Sequence, residues 1–452
     1  MKQDLTEGSI GRKLFLYFLP IAAGTLFQQL YNAADAIIVG KFVGTVALAA
    51  VGGSAANVTN LLIGFFVALS GGSTVIIAQL FGAKDNSSMQ KATGTAVAFC
   101  LIAGLGLTVI GLILTPAFLR LLQSPDDTLL DATAYLRIVF AGVIPQLLYN
   151  IEAGILRAVG DSRSPFIYLL ISCVSNIVLD LVFVVVFRLE VVGVAVATVL
   201  SQVISAVLAT VKLMRCREAY RISLREIRID RRLLGRMMHI GIPAGLQSSM
   251  YGVSNMILQV YVNLLGTTVV AAWSLSGKLD GFYWACSSAA GTAVMNFAAQ
   301  NFGANRMDRV KSGTKLSLWL FVAVTLGFSV ILLAIGRPVL PIFTDDAAVV
   351  DTTWLIMLYI VPTYFTWTFI EILSGVLRGV GDSVVPVVIC GLGICLLRVV
   401  WIVIAYRIAP TLLTVSLSYP ISWVVTDIAF LIYYKRGRWQ TRLQGSALRS
   451  VR

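Results

Sequence analysis

The sequence predicts an all-α integral membrane protein with twelve transmembrane helices. Of its 452 residues 58% are apolar and only 13% are charged, and long apolar runs recur along the whole chain. Soluble domains carry about 25% charged residues, and a helix needs about 20 residues to cross a bilayer. This composition excludes a disordered chain, a disulfide-built secreted domain and most soluble enzymes.

Twelve apolar runs, each bounded by charged or turn residues, give the expected spans. They lie near 14–39, 46–72, 92–116, 132–155, 165–187, 191–211, 237–263, 268–299, 313–336, 352–374, 385–406 and 411–434. With both termini in the cytoplasm, 27 of the 35 Lys and Arg residues fall on the cytoplasmic side, as the positive-inside rule requires. We therefore expect a multi-pass protein of the cell (inner) membrane with both ends inside.

The net charge of +13 is concentrated in two basic segments, 212–236 and 435–452. Both segments lie next to membrane ends, where basic residues set the topology and attract anionic lipid at the cytoplasmic face. This placement favours a lipid contact and argues against nucleic acid as a partner.

The chain repeats itself at an offset of 221 residues. LRAVGDSRSP at 156–165 recurs as LRGVGDSVVP at 377–386, and QLFGA at 79–83 recurs as QNFGA at 300–304. In the GDS motif Gly160 or Gly381 allows a tight turn, and the Asp and Ser can cap the next helix; a direct role in gating is the alternative.

This repeat predicts two six-helix bundles in one chain. The N-terminal lobe covers 1–215, the basic cytoplasmic linker loop 216–232, the C-terminal lobe 233–436 and the basic tail 437–452. Because six is an even number, both lobes enter the membrane from the same side, a parallel repeat that is common in secondary transporters. A cavity between two such lobes can open to either face by rocking.

Ionisable groups inside spans are costly and usually functional, and the first span carries one. Gln28, Asn32 and Asp35 fall at i, i+4 and i+7, on one polar face of an apolar helix. Pro20 precedes Asp35 by fifteen residues and is expected to kink the helix. The alternative is an interfacial Asp35 without a function.

The fifth span places Asn176 and Asp180 at i and i+4, and Thr198 returns to a similar depth in the sixth span. These three residues and Asp35 are expected to converge in the N-terminal lobe. Two carboxylates in a dry site repel each other, so the pair should hold a proton; alternatively its oxygens bind a hard cation such as Na+. A structural hydrogen-bond network is the third interpretation.

The C-terminal lobe lacks this acidic pair and offers a polar cavity lining instead. Asn255 and Gln259 lie in the seventh span, and Asp280 and Trp284 share a face of the eighth. Lys278 either lines the same cavity or neutralises Asp280. Arg398 and Asp427 lie within snorkelling reach of a membrane end and receive no role. Glu152 and Glu371 are expected to form ion pairs with Arg157 and Arg378, and a role in transport is the alternative.

Taken together, these residues resemble the multidrug and toxic compound extrusion (MATE) transporters, in the branch with the DNA-damage-inducible and prokaryotic multidrug members. The resemblance rests on LYNAADAIIVGKFVG at 30–44, the QLFGA and QNFGA pair, the twin LR-x-VGDS-xx-P motifs and IGIPAGLQ at 240–247. It implies a V-shaped pair of six-helix bundles. It also implies cation coupling through Pro20 and Asp35, and an N-lobe cation site completed by Asn176, Asp180 and Thr198.

The expected function is secondary active antiport by alternating access. Amphipathic, mostly cationic drugs leave in exchange for inward H+ or Na+, and one chain suffices because it contains both lobes. No catalytic motif is present, so we expect neither an enzyme nor a cofactor, and no metal beyond a coupling Na+. The alternative is a lipid-linked saccharide flippase of a related class, although its diphosphate cargo would need more Arg and Lys within the spans.

Overall fold

The structure is a computed structural model that describes residues 3–121, 124–437 and 439. Within these ranges no residue lies in a β-strand. Twelve long helical stretches follow one another, with a short helix, Thr45–Ala50, directly before the second, which confirms the expected fold class. Their bounds are α1 Ile10–Val43, α2 Val51–Gly82, α3 Asn86–Leu121, α4 Asp126–Ala141 with Val143–Ala158, α5 Arg163–Val186, α6 Glu190–Arg215, α7 Arg231–Leu264, α8 Thr267–Gly303, α9 Met307–Ile342, α10 Ala347–Val380, α11 Val384–Ile408 and α12 Leu412–Arg436.

Most of these helices are membrane-length and apolar. Among the described residues nine are long and apolar enough to cross a membrane, and α4, which bends by 49° at Gly142, makes a tenth. Helices α7 and α8 have 34 and 37 residues but carry more polar side chains. These polar residues are the ones from which the sequence predicts a cavity lining.

The chain forms two compact units, Met1–Leu5 with Leu16–Gly245 and Thr6–Phe15 with Leu246–Arg452. The division falls inside α7, whereas the expected lobes were separated by the loop at 216–232. The segment 6–15 belongs to the second unit because Arg306 and Arg309 donate to the carbonyl oxygens of Thr6 and Glu7, at 2.6 and 2.9 Å.

The repeated motifs form matching turns in both halves. Gly160 and Gly381 adopt φ of +86° and +99°, a left-handed conformation that glycine adopts without strain. Asp161 accepts hydrogen bonds from the backbone N–H and hydroxyl of Ser164, at 3.0 and 2.7 Å, in the first turn of α5. Asp382 instead accepts from the Tyr433 hydroxyl at 2.5 Å, so the turn is common to both halves while the capping contact occurs in the first.

Candidate coupling site and ligand cavity

Asp35 on α1 and Asp180 on α5 lie side by side in the first unit, close enough for their carboxyl groups to share a proton. Asp180 and Asn176, one helical turn apart, are both 0% exposed. Thr198 on α6 lies beside Tyr31, which is itself close to both carboxyl groups. The structure therefore brings the four residues expected at a cation site into one region.

The polar atoms of this site lack partners. Apart from the contact between the two carboxyl groups, no hydrogen bond within the described residues reaches either oxygen of Asp180, Oδ1 of Asp35 or the side-chain amide of Asn176. A buried polar group without a hydrogen bond costs free energy, and such a group in a native protein usually indicates an ion, a water or a functional role.

Two tyrosines complete the surroundings of the carboxyl groups and were not anticipated from the sequence. Tyr31 lies on α1 and Tyr135 on α4, and both are close to Asp35 and to Asp180. Tyr31 precedes Asp35 by four residues and so lies on the same helix face, a signal that the sequence contains. Tyr135 comes from another helix, and no local pattern indicates it.

An apolar cluster lies one helical turn beyond the carboxyl groups. Val39 follows Asp35 by four residues, Val184 follows Asp180 by four, and both pack with Val191 and Val194 of α6. The backbone next to these aspartates forms π-helical turns at Val39–Val43 and Leu181–Val186, a local feature that is frequent at functional sites. This cluster excludes water from one side of the site, which strengthens electrostatic interactions there.

The first unit also contains a small polar cavity of about 100 Å³, lined by Pro20 and Gln28 among others. Helix α1 continues through Pro20, whose ring lacks the N–H that would bond the preceding turn. Asn32 does not line this cavity, and its side chain donates to Gln29 at 3.3 Å. Of the polar residues expected on α1, Gln28 thus lines a cavity within this unit.

A larger cavity of about 350 Å³ lies inside the second unit. Asn255, Asp280 and Trp284 line it, as expected from the sequence. Gln259 does not line it and donates to Asn263 at 2.8 Å. The side chain of Lys278 is exposed, and within the described part of the chain it forms no ion pair with Asp280, which excludes the alternative in which the two residues neutralise each other.

Arg398 also lines this cavity, which the sequence did not indicate. It is 4% exposed and therefore does not snorkel to a membrane surface. Its guanidinium donates to the Asn255 side chain at 3.2 Å and to the Ser422 hydroxyl at 3.4 Å, and it stacks 4.2 Å from the Tyr419 ring centroid. The sequence offered one indication of this site, an arginine within an otherwise apolar span.

The two glutamates near the ends of α4 and α10 behave differently from each other. Glu371 pairs with Arg378 at 3.8 Å, which confirms one expected ion pair. The expected pair between Glu152 and Arg157 is wrong: Glu152 is 0% exposed and accepts a hydrogen bond from the Thr210 hydroxyl at 2.5 Å. The difference arises because α6 packs against this part of α4 and places a hydroxyl beside the carboxyl group.

This contact predicts a stability difference between two variants. Thr210→Val keeps the shape of the side chain but removes the donor to Glu152, whose Oε2 already lacks a partner among the described residues. We expect a loss of about 1–3 kcal/mol, seen as a lower midpoint for heat-induced aggregation in detergent. Thr210→Ser keeps the donor and serves as the control; equal midpoints for the Val and Ser variants would contradict the assignment.

Among the described residues no group of three or more His, Cys, Asp or Glu side chains is placed to hold a metal ion. The oxygen atoms available to a monovalent cation are those around Asp35 and Asp180. They comprise two carboxyl groups, one amide and one hydroxyl. Such hard oxygen ligands can bind Na+, and the carboxyl groups can instead bind a proton.

Helices of membrane length in two repeated halves, each half containing a cavity, indicate a multi-pass membrane transporter built from an internal repeat. The chain belongs to the MatE family, whose model matches residues 20–182 and 243–404. This match confirms the resemblance seen in the sequence motifs. The family is one of transporters rather than of enzymes.

Relatives and solved structures agree with this assignment. The chain is 26% identical over 441 residues to Probable multidrug resistance protein YoeA of Bacillus subtilis, covering 96% of this chain and 95% of that protein. It is 25% identical over 344 residues to Multidrug export protein MepA of Staphylococcus saprophyticus, with 76% of each chain covered. An outward-facing multidrug resistance MATE family transporter of the MOP superfamily matches with a TM-score of 0.89 at 22% identity, over 99% of this chain and 98% of that one, which shows a common fold.

Proposed function

We propose that the protein is a secondary active antiporter that exports amphipathic, mostly cationic organic compounds in exchange for inward H+ or Na+. The observation that carries the proposal is the pair of carboxyl groups, half-buried Asp35 and buried Asp180, side by side in the first unit. Relatives that match nearly the whole chain are named for multidrug resistance, which supports this class of cargo.

The coupling follows from charge. When one of the two carboxyl groups is ionised, the site attracts an organic cation. A proton arriving from outside neutralises Asp35 or Asp180, the attraction weakens, and the drug leaves outward. Drug and coupling ion thus compete for overlapping sites, and alternating access to the two membrane faces converts this competition into exchange.

The energies are sufficient for such an exchange. One elementary charge that moves inward across 100 mV releases about 2.3 kcal/mol, whereas a neutral drug that moves up a tenfold gradient costs about 1.4 kcal/mol. A cationic drug costs more, because it moves against the same potential. One proton can therefore drive a gradient of about 40-fold of a neutral compound, and a steeper gradient requires a pH difference as well.

In this proposal the protein lies in the cell (inner) membrane with both termini in the cytoplasm. The basic loop and tail then face the inner leaflet, where anionic lipid attracts Lys and Arg. A single chain contains both repeated halves, so a monomer is the functional unit.

Proton release from inverted membrane vesicles tests the antiport. Respiration acidifies the vesicle interior, a pH-quenched dye reports the gradient, and added ethidium should restore fluorescence as protons leave in exchange for the drug. Ethidium uptake into vesicles preloaded with Na+, without proton release, would assign Na+ as the coupling ion. No response in either case, in vesicles that contain the folded protein, would overturn the proposal and favour a lipid-linked saccharide as cargo.

A further inference from the structure

The basic linker loop between α6 and α7 is docked on the first unit. The hydroxyl of Thr95 on α3 donates to the carbonyl oxygen of Arg228 and accepts from the backbone N–H of Asp230, both at 3.1 Å. A Cβ atom on Gly94 would overlap the carbonyl oxygen of Glu226, so the two main chains approach closely there. These contacts fix the second half of the loop against α3.

The first half of the loop is anchored by two buried side chains, Tyr220 and Ile222. The backbone N–H of Ile222 also donates to the carbonyl oxygen of Leu213, near the end of α6, at 3.2 Å. Segments that open easily have few buried apolar contacts and few protected hydrogen bonds. The docked loop has both kinds of contact and therefore presents a defined surface.

The contact with α3 lies at the level where this helix is expected to enter the membrane. The sequence predicts the third span near 92–116, so Gly94 and Thr95 lie at its cytoplasmic end. Helix α6 ends at Arg215 and α7 begins at Arg231, and basic residues are enriched at the cytoplasmic ends of membrane helices. The loop therefore lies at the depth of the lipid headgroups.

The outer side of the loop combines apolar and basic side chains. Leu224 is 74% exposed and Ile229 is exposed as well, and the neighbouring Arg225 and Arg228 are also exposed. No acidic side chain of the described residues, including the exposed Glu226, forms an ion pair with either arginine. We call Leu224, Arg225, Arg228 and Ile229 the linker surface.

The composition of the linker surface distinguishes between partners. Arginines at a membrane surface attract anionic headgroups, and a guanidinium can donate two parallel hydrogen bonds to a phosphate. Apolar side chains between basic ones gain free energy when they are buried at the boundary between headgroups and acyl chains. A nucleic acid or a free phosphate would engage the arginines and leave the apolar side chains in water, whereas a phospholipid contacts both.

We infer that the linker surface is a preformed site for anionic phospholipid of the inner leaflet. Arg225 and Arg228 bind the headgroup phosphates, and Leu224 and Ile229 enter the acyl boundary. The inference rests on the proposed function for the cytoplasmic placement of the loop. It adds a defined site to the general attraction of a basic segment, because a docked loop loses less conformational entropy on binding than a free one.

Two lipids with the same acyl chains and different headgroups test the charge dependence. The full-length protein in a neutral detergent is titrated into phosphatidylglycerol or phosphatidylcholine, each with a fluorescent group on one acyl chain, and anisotropy reports binding. We expect the wild type to bind phosphatidylglycerol about tenfold more tightly at low ionic strength, and added salt to reduce this preference. Equal affinity for the two lipids would overturn the inference.

Variants assign the contacts to the linker surface. The double variant Arg225→Gln/Arg228→Gln should remove most of the preference for phosphatidylglycerol, a loss of about tenfold. Leu224→Ser keeps both arginines and should weaken binding about threefold, because the apolar contact is lost. The matched control is Lys311→Gln/Lys315→Gln, which removes the same charge from exposed positions near the start of α9. Equal losses in the two double variants, or unchanged binding by Leu224→Ser, would overturn the inference.

A change at Thr95 tests whether the site is preformed. Thr95→Val removes the hydroxyl that holds Arg228 and Asp230 but leaves every charge of the loop in place. We expect a loss of affinity for phosphatidylglycerol of about threefold, since the freed loop must be ordered on binding. Thr95→Ser keeps the hydroxyl and should bind as the wild type does. Equal affinities of monodisperse Val and Ser variants would show that charge alone suffices, and would contradict a preformed site.

These measurements are independent of the proposed antiport, because lipid binding in detergent requires neither a gradient nor a drug. A preference for phosphatidylglycerol in a protein without ethidium-driven proton release would support the linker surface and contradict antiport. Proton release without a lipid preference would do the opposite. Tighter binding of a labelled oligonucleotide than of phosphatidylglycerol would assign the arginines to nucleic acid and overturn the inference.

Discussion

Asp35→Asn and Asp180→Asn will each reduce ethidium-driven proton release to background. The two carboxyl groups lie next to each other without other partners in the described structure, so each variant removes one of two groups that can bind the coupling proton. Asparagine keeps the size and polarity of aspartate but cannot ionise. It therefore imitates a permanently protonated site, and the cycle lacks the step in which the proton leaves.

Ethidium binding gives a second readout of the same variants. Because asparagine also removes the negative charge that attracts the cation, the affinity for ethidium should fall and should change less with pH than in the wild type. Measurement in detergent at several pH values separates this binding defect from the loss of coupling. The wild type should bind ethidium more weakly at low pH, where the pair is protonated.

Asp427→Asn is the matched control for this prediction. Asp427 is a buried carboxyl group on α12 of the second unit, 7% exposed, whose Oδ1 has no partner among the described residues. Coupling in the first unit predicts that this variant still releases protons on addition of ethidium. Normal proton release by both Asp35→Asn and Asp180→Asn, or equal loss in Asp427→Asn, would contradict the assignment.

The sequence predicted those features that depend on the chain's own periodicity. Asp35 and Asp180 stand out because a charge within an apolar run is rare, and the repeat at an offset of 221 residues is visible in the sequence itself. The matching turns at Gly160 and Gly381 follow from it. Such features need no knowledge of which helices touch.

Contacts between helices are what the sequence did not supply. Tyr135 reaches the carboxyl pair from α4, and Thr210 rather than Arg157 contacts Glu152. The residues on either side of Arg398 in the sequence are apolar, yet its side chain is buried against Asn255 of another helix. In each case the rotation of one helix about its axis relative to its neighbour determines which residues meet. Side-chain packing sets this rotation, and the local sequence pattern does not reveal it.

The close crossing of α2 and α7 within the first unit gives the second large prediction. A Cβ atom on Gly72 would overlap the carbonyl oxygen of Met237 and the backbone of Gly241, and a Cβ on Gly241 would overlap the carbonyl oxygen of Leu69. Both obstacles are backbone atoms, which no side-chain rotation can relieve. Small residues at such crossings allow membrane helices to approach closely.

Gly72→Ala should therefore lower the yield of folded protein and the temperature at which it aggregates in detergent. Overpacking of a well-packed interior costs about 1–3 kcal/mol, and the rigid backbone partner favours the upper part of this range. Size-exclusion chromatography after graded heating measures the surviving fraction. Gly241→Ala should behave in the same way, since it opens the same crossing from the other helix.

Gly71→Ala is the control that isolates the contact. Gly71 is the preceding residue on the same helix, and a Cβ atom there would meet no atom within 4 Å. Alanine is favoured over glycine in a helix by up to about 1 kcal/mol, so this variant should be as stable as the wild type or slightly more stable. Helix propensity changes by the same amount at both positions, so it cannot make one variant more stable and the other less stable than the wild type. Opposite changes in stability at the two adjacent glycines would therefore locate the destabilisation at the α2–α7 crossing. Equal changes would show that the helices separate enough to accept the methyl group.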